Sequence, residues 1–93
     1  MQYVLIIHEV EHYPVWKIVF DQAAELRKSA GEISYQLLRH EGDENHIVHF
    51  SVWDSLDNAR RFFESPDLVE IRKQAGVKAP EFLYLRELER GIL

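Results

Sequence analysis

The chain opens on a β-rich apolar run, Tyr3 to Glu9 (YVLIIHE), in which neighbouring residues of both parities are apolar. That is the pattern of a strand buried on both faces. Pro14 then suits a first helical turn. Beyond it, Trp16, Val19, Phe20, Ala23, Ala24, Leu26 and Ala30 recur at steps of three and four, while Lys17, Asp21, Gln22, Glu25 and Lys28 fill the opposite side. The spacing predicts one amphipathic helix of roughly four to five turns, closed by Gly31 as a left-handed cap. Two alternating runs follow, Ile33 to Glu41 (ISYQLLRHE) and His46 to Trp53 (HIVHFSVW). Gly42-Asp43-Glu44-Asn45 between them is a turn signal, so they read as an antiparallel hairpin.

The stretch SVWDSLDNARRFFESPDL, residues 51–68, ends a strand and then starts a helix twice. Asp54 is placed to cap the first helix, with Asp57 three residues on as a weak capping box. Leu56, Ala59, Phe62 and Phe63 make its apolar face. Ser65-Pro66 stops that helix and begins another, with Ser65 as N-cap and Pro66 in the first turn. Proline inside a helix costs about 3 kcal/mol, so the chain bends here across a sheet face. Leu68, Ile71 and Ala75 continue the apolar side as far as Gly76. Glu81 to Leu88 (EFLYLREL) forms a last strand after Pro80.

The order strand, helix, strand, strand, helix, strand is that of a ferredoxin-like α+β fold. Residues 1–93 make one domain with a four-stranded antiparallel sheet, the first and third strands central and the helices on one face. The other sheet face is then bare. A second copy packed sheet on sheet covers it most simply, so a homodimer is expected. A four-residue hairpin loop pairs Glu41 with His46. It sets Tyr35, Leu37 and Arg39 beside Val52, Phe50 and Val48, an apolar set expected under the helices. Ser34, Gln36, Leu38 and His40 then share the dimer-facing side with Trp53, Ser51, His49 and Ile47. The facing of His8 stays open.

Charge and composition remove several classes. Eleven basic and 16 acidic residues leave a net charge of −5, which argues against a nucleic-acid surface. Without cysteine, neither a disulfide nor a thiolate site can form. The apolar run Val4 to Ile7 is too short for a signal or membrane segment, so a cytoplasmic protein with no membrane partner is expected. There is no phosphate-binding loop, dinucleotide fingerprint or serine-nucleophile motif. His46 and His49 lie three apart on a strand and point to opposite faces, so they form no metal pair, and no metal site is expected.

With this order in place, three segments resemble the antibiotic biosynthesis monooxygenase superfamily. They are HEVEHYPVWKIVFDQAAELRKSAG, YQLLRHEGDENHIVHFSVWDSLDNARRFFESPDL and AGVKAPEFLYL, together nearly the whole chain. The most specific parts are Tyr13-Pro14-Val15-Trp16-Lys17 with Phe20-Asp21, then Trp53-Asp54-Ser55, Ala59-Arg60, Ser65-Pro66, and Ala75-Gly76-Val77 before Pro80. The resemblance implies a dimeric α+β barrel. It also implies a cofactor-independent monooxygenase acting on a small aromatic or quinol-like substrate. Heme-degrading members carry an Asn on the first strand, a Trp on the helix after the Trp-x-Ser turn and a heme-ligating His on the next helix. Those positions fall near His8, on Phe62 and on Arg72. All three differ, and an arginine stays charged and cannot ligate iron. No cofactor is therefore expected.

Oxygenase chemistry gives the histidines a task. A histidine, with a pKa near neutral, can take a phenolic proton and leave an electron-rich anion that reacts with oxygen. His8 and His49 are the candidates, and His8 is the better one, because the expected hairpin register puts His49 on the dimer-facing side. Trp16, Tyr35, Trp53, Phe62 and Tyr84 are candidates to line an aromatic pocket or to bind a substrate hydroxyl. The same aromatic residues serve equally as core, and the histidines equally as polar filling of a dimer interface. The alternative function is a non-catalytic homodimer that binds a small apolar ligand or stabilises a larger assembly.

Overall fold

The computed structural model describes residues 1–93. The elements run β1 (Gln2–Val10), α1 (Tyr13–Gln22), α2 (Ala24–Ala30), β2 (Glu32–Arg39), β3 (His46–Trp53), α3 (Leu56–Phe63), α4 (Pro66–Gln74) and β4 (Val77–Arg86). The sheet order is β2-β3-β1-β4, with every neighbouring pair antiparallel. This is the expected ferredoxin-like α+β arrangement, with β1 and β3 central. No helix is long and apolar enough to cross a membrane.

Local chemistry explains most boundaries. Ser55 is extended and its hydroxyl accepts from Asn58 N at 3.0 Å, so it caps α3. The cap is therefore Ser55 and not Asp54. Only the residue directly before the first turn can reach the third backbone N–H of the helix. Asp54 instead accepts from the Asn58 side-chain amide at 3.0 Å. Ser65 caps α4 with Pro66 behind it, as expected. Gly31 has φ 124°, and an added Cβ would lie 2.3 Å from an Asp54 carboxylate oxygen, so the turn from α2 into β2 requires glycine.

The single long helix expected over residues 14–30 is broken at Ala23, whose φ and ψ of −88° and 3° close α1. The break lets the Arg27 guanidinium reach back to the Phe20 carbonyl. As a result Arg27 is 5% exposed, while Leu26, expected on the apolar side, is 48% exposed. β4 begins at Val77 rather than Glu81. Its pairing with β1 shifts register between Ile7 and Glu9, and Ala79 takes φ 41° there. An irregular edge strand tolerates Pro80, which has no N–H to give to a ladder.

The hairpin register corrects the expected one. Tyr35 pairs with Ser51, Leu37 with His49 and Leu38 with Val48. The loop holds five residues, 41–45, not four. His40 N donates to His46 O at 3.0 Å across its base. Inside it, Gly42 N donates to His40 Nδ1 at 3.0 Å and Asn45 N to Asp43 Oδ1 at 2.9 Å. With a side-chain period of two, one residue of slip exchanges the faces of the strand. Ile47, His49, Ser51 and Trp53 therefore lie under the helices and are buried. Val48, Phe50 and Val52, expected in the core, lie on the open face. There they join Tyr3, Leu5 and Ile7 of β1 and Leu83 and Leu85 of β4, with Tyr3 and Phe50 stacked at 5.2 Å. His49 is thus not on the open face, where a second copy was expected to pack. His8, paired with Ile47, shares its inward face.

Two apolar clusters fill the space between sheet and helices. Val4, Ile6, Trp53, Leu56, Ala59, Phe62, Phe63 and Leu68 form one. Val10, Trp16, Phe20, Ile47 and Ala75 form the other. Along β1 and β3 the positions between these clusters are occupied by His8 and His49.

Candidate functional site

A cavity of about 60 Å³ lies where the two clusters meet, and it opens toward solvent. Trp16, Phe20, Phe62 and Phe63 wall it with aromatic surface, His8 and His49 line it from the sheet, and Arg27 and Arg72 line it from α2 and α4. Ile6 pairs with His49 and His8 with Ile47, so the two imidazoles are diagonal neighbours on one sheet face. They are held in opposite ways.

His49 is the end of a buried chain of charge. Its Nε2 lies 2.7 Å from Glu32 Oε2, and Glu32 Oε1 accepts from Arg27 Nε at 2.6 Å. Arg27 also donates to the Phe20 carbonyl and lays its guanidinium 3.7 Å above the Phe20 ring. Burial pushes the Glu32 carboxyl up. Hydrogen bonds and charge from His49 and Arg27 outweigh that and hold it below the usual carboxylate value. An ionised carboxylate only accepts, so Nε2 of His49 must carry the proton in this bond. In the neutral imidazole the lone pair is then on Nδ1.

His8 has no such partner. It is buried, its ring lies 5.4 Å from Trp16, and its Nδ1 makes no hydrogen bond. Burial, followed by the positive charge of His49, lowers its pKa from 6.5 to about 4. The nearby Ile47 backbone opposes the shift, and Arg72 adds to it. His8 is a neutral imidazole at physiological pH.

The sequence-derived candidates separate into two groups. His8, His49, Trp16 and Phe62 come together around the cavity. Tyr35 stands beside it: its ring is 5.3 Å from Phe20 and 6.0 Å from His49, but it is half exposed and lines a neighbouring surface groove with Arg27 and Glu32. Trp53 lies behind the wall, donating to Ser51 Oγ at 2.8 Å and packing on Phe62 and Phe63. Tyr84 packs on the first core cluster beneath the Arg60 guanidinium, and burial pushes its hydroxyl pKa up. Neither of these two lines the cavity.

Arg27, Glu32 and Arg72 were not among the candidates. Arg27 had a legible signal, since residues 16, 20 and 27 fall on one helical stripe. Glu32 directly follows the Gly31 turn, which is where a strand leaves a helix and can be drawn inward. Arg72 shows no such signal in the sequence.

A sequence model of the antibiotic biosynthesis monooxygenase family matches residues 16–74, more than half of the chain. The chain belongs to that family. Among solved structures, it is similar to SnoaB from Streptomyces nogalater, a cofactor-independent oxygenase, with a TM-score of 0.75 at 19% identity, covering 96% of this chain and 93% of that one. A family member from Caulobacter crescentus CB15 gives 0.74 at 20% identity over 95% and 90% of the two chains. Another from Nitrosomonas europaea gives 0.70 at 13% over 96% and 100%. At such identities the likeness is one of fold. A search of curated protein sequences finds no match.

The protonation of His8 predicts how stability varies with pH. Between 6.5 and about 4 the unfolded chain binds a proton that the folded chain refuses. Stability therefore falls as pH drops through this window, by up to about 3 kcal/mol. Glu32 acts lower down: its contribution is present above the ordinary carboxylate pKa and is lost as pH falls through its lowered folded value. The difference between wild type and His8→Phe in urea unfolding, between about pH 7 and about pH 5, isolates the His8 part. The wild-type midpoint should decline across that range and His8→Phe should flatten the decline. A wild-type midpoint that stays constant contradicts the buried neutral imidazole.

Proposed function

We propose that this protein is a cytoplasmic, homodimeric, cofactor-independent monooxygenase of small phenolic or quinol-like molecules. The observation that carries this reading is the pair of unlike histidines on one wall of an aromatic-lined cavity. A phenol, with a pKa near 10 in water, reacts with oxygen as its anion, so the site must first remove a proton. His49 is the base, because Glu32 fixes its tautomer and stabilises the imidazolium that forms. His8, whose free Nδ1 faces no protein partner, hydrogen-bonds the substrate oxygen. The phenolate then adds oxygen at a ring carbon, and the peroxide anion takes the proton back from the His49 imidazolium to give a hydroperoxide. Loss of water leaves a quinone, one oxygen atom having entered the ring and the other having left as water. Trp16 and Phe62 hold the ring, Tyr35 flanks the site beside Phe20, and Trp53 and Tyr84 support it as packing.

Size sets a condition on this reading. A cavity of about 150 Å³ holds benzene, whereas this one measures about 60 Å³. The hydroxyl-bearing edge of a ring fits, and the rest of the ring occupies the open mouth or displaces side chains there. The same volume favours the second reading, a homodimeric binding module of this fold with no catalysis.

Oxygen uptake across a panel of phenols and quinols separates the two. Wild type should consume oxygen with at least one of them, and His49→Ala should lose about 10²–10⁴ in rate, with His8→Ala also impaired. No uptake by wild type across the panel would leave the binding module standing.

The dimer rests on the open sheet face. Tyr3, Leu5, Val48, Phe50, Leu83 and Leu85 share it with no helix over them. Wild type should sediment at twice the 11.0 kDa of the chain. Phe50→Asp or Leu38→Asp should yield monomer, because an unpaired charge would be buried. A wild-type monomer at micromolar concentration ends this claim.

A further inference from the structure

We propose that the cavity selects a ligand that already carries a negative charge, an aromatic carboxylate with a ring hydroxyl, and that Arg72 is the residue that binds the carboxylate. This deepens the oxygenase reading and rests on the same cavity.

The first support is the charge of the wall. The chain as a whole has 16 acidic against 11 basic residues. The cavity inverts this balance: Arg27, Arg72, His8 and His49 line it, and no Asp or Glu does. A cavity of one sign with apolar walls concentrates ligands of the opposite sign.

The second support is the difference between the two arginines. Arg27 is accounted for within the protein, bonded to Glu32 and to the Phe20 carbonyl. Arg72 is not. Its Nη1 donates to the Phe63 carbonyl at 2.9 Å, and its guanidinium lies 4.9 Å from the Phe82 ring centroid. The ion pairs of the structure involve Lys17, Arg27, His49, Arg60 and Arg90, and Arg72 is in none of them. A guanidinium has five N–H donors in a planar fork that matches a carboxylate, so most of this fork is unspent. Withdrawal from water lowers the pKa of Arg72, opposed only by Tyr84, yet an arginine remains charged. A partly desolvated cation without a counter-ion gains most from an arriving anion.

The third support is the neighbouring histidine. His8, whose buried Nδ1 has no partner, lines the same cavity, and the charge of Arg72 is one cause of its lowered pKa. An anion on Arg72 cancels that charge. Ligand binding is therefore coupled to His8, which regains basicity when the site is filled. A carboxylate held by Arg72 also fixes the orientation of the ring hydroxyl that His49 must deprotonate.

The test is equilibrium binding, followed by NMR titration, of 4-hydroxybenzoate and its neutral isostere 4-hydroxybenzamide. Wild type should prefer the carboxylate by about tenfold or more, the scale of a charge-assisted hydrogen-bond pair. Arg72→Gln should erase the preference, Arg72→Lys should keep part of it, and Arg61→Gln on an exposed face of α3 should leave it intact. The carboxylate should also move the Arg72 Nε–H resonance of wild type and raise the His8 pKa, and the amide should do neither. These two signals decide the matter if Arg72→Gln does not fold. Equal affinities in wild type, failure of both probes to bind, or a preference that survives in Arg72→Gln would each overturn the proposal. Neutral phenols oxidised with no preference for the anion would overturn it and leave the oxygenase reading standing. Selective anion binding without any oxygen uptake would do the reverse.

Discussion

The Glu32 carboxylate, buried between the Arg27 guanidinium and the His49 imidazole, is the contact on which the rest of the molecule turns. It joins α2, the first residue of β2 and the middle of β3. Alone, any of the three would be a costly group to bury. Together they satisfy one another, and each dictates something local. Arg27 reaches its place because the helix breaks at Ala23 and frees the Phe20 carbonyl for its second bond. Glu32 turns inward beside the irregular pairing between Glu32 and Ser34. His49 is fixed to the helix side of the sheet, and with it the parity of all of β3. Buried ion pairs of this kind contribute little net stability over well-packed apolar residues. What this one supplies is position: a single register and a single tautomer.

That parity divides the sheet in an unusual way. The face under the helices carries His8, His49 and Ser51, while the open face carries Leu5, Phe50, Leu83 and their neighbours. The enclosed face thus sets three polar side chains among Val4, Ile6, Val10, Ile47 and Trp53. Aromatic rings from α1 and α3 close over it, and the two apolar clusters stop on either side of the histidines. The interruption in the core is what leaves a cavity. Within it the imidazoles differ because their neighbours differ. One has a carboxylate partner; the other has cations near it and a nitrogen with no partner. Environments that separate two like groups in this manner are how one site assigns distinct roles in proton transfer.

The sequence conveyed the element order, the two caps at Ser65-Pro66 and Gly31, and the bare sheet face, because each has a local cause in residue type. It conveyed the register wrongly, and the reason is physical. Alternation reveals a core only when one face is plainly more apolar. Here the outward set Val48, Phe50, Val52 is more apolar than the inward set His49, Ser51, Trp53, although no helix covers the outward face. Loop length cannot decide either, because the hydrogen bonds that hold five residues between His40 and His46 are made by side chains of Asp43 and His40 whose geometry is not written in hydropathy. His8, Trp16 and Phe62 were found because aromatic and imidazole groups announce their chemistry. Arg27 and Arg72 were passed over because a charged helix residue is most often solvated, and only the fold shows that Arg27 is buried and Arg72 partly so.

The central claim is that two histidines on one cavity wall are held in different protonation chemistry by Glu32 and by its absence. Nitrogen NMR of the histidine rings across a pH series tests it most directly, since the ring shifts report tautomer and protonation at each nitrogen. His49 should carry its proton on Nε2 when neutral, hydrogen-bonded to Glu32, and His8 should stay neutral until the pH approaches about 4. A His49 protonated on Nδ1 in its neutral form, or a His8 that titrates near 6.5, would contradict it.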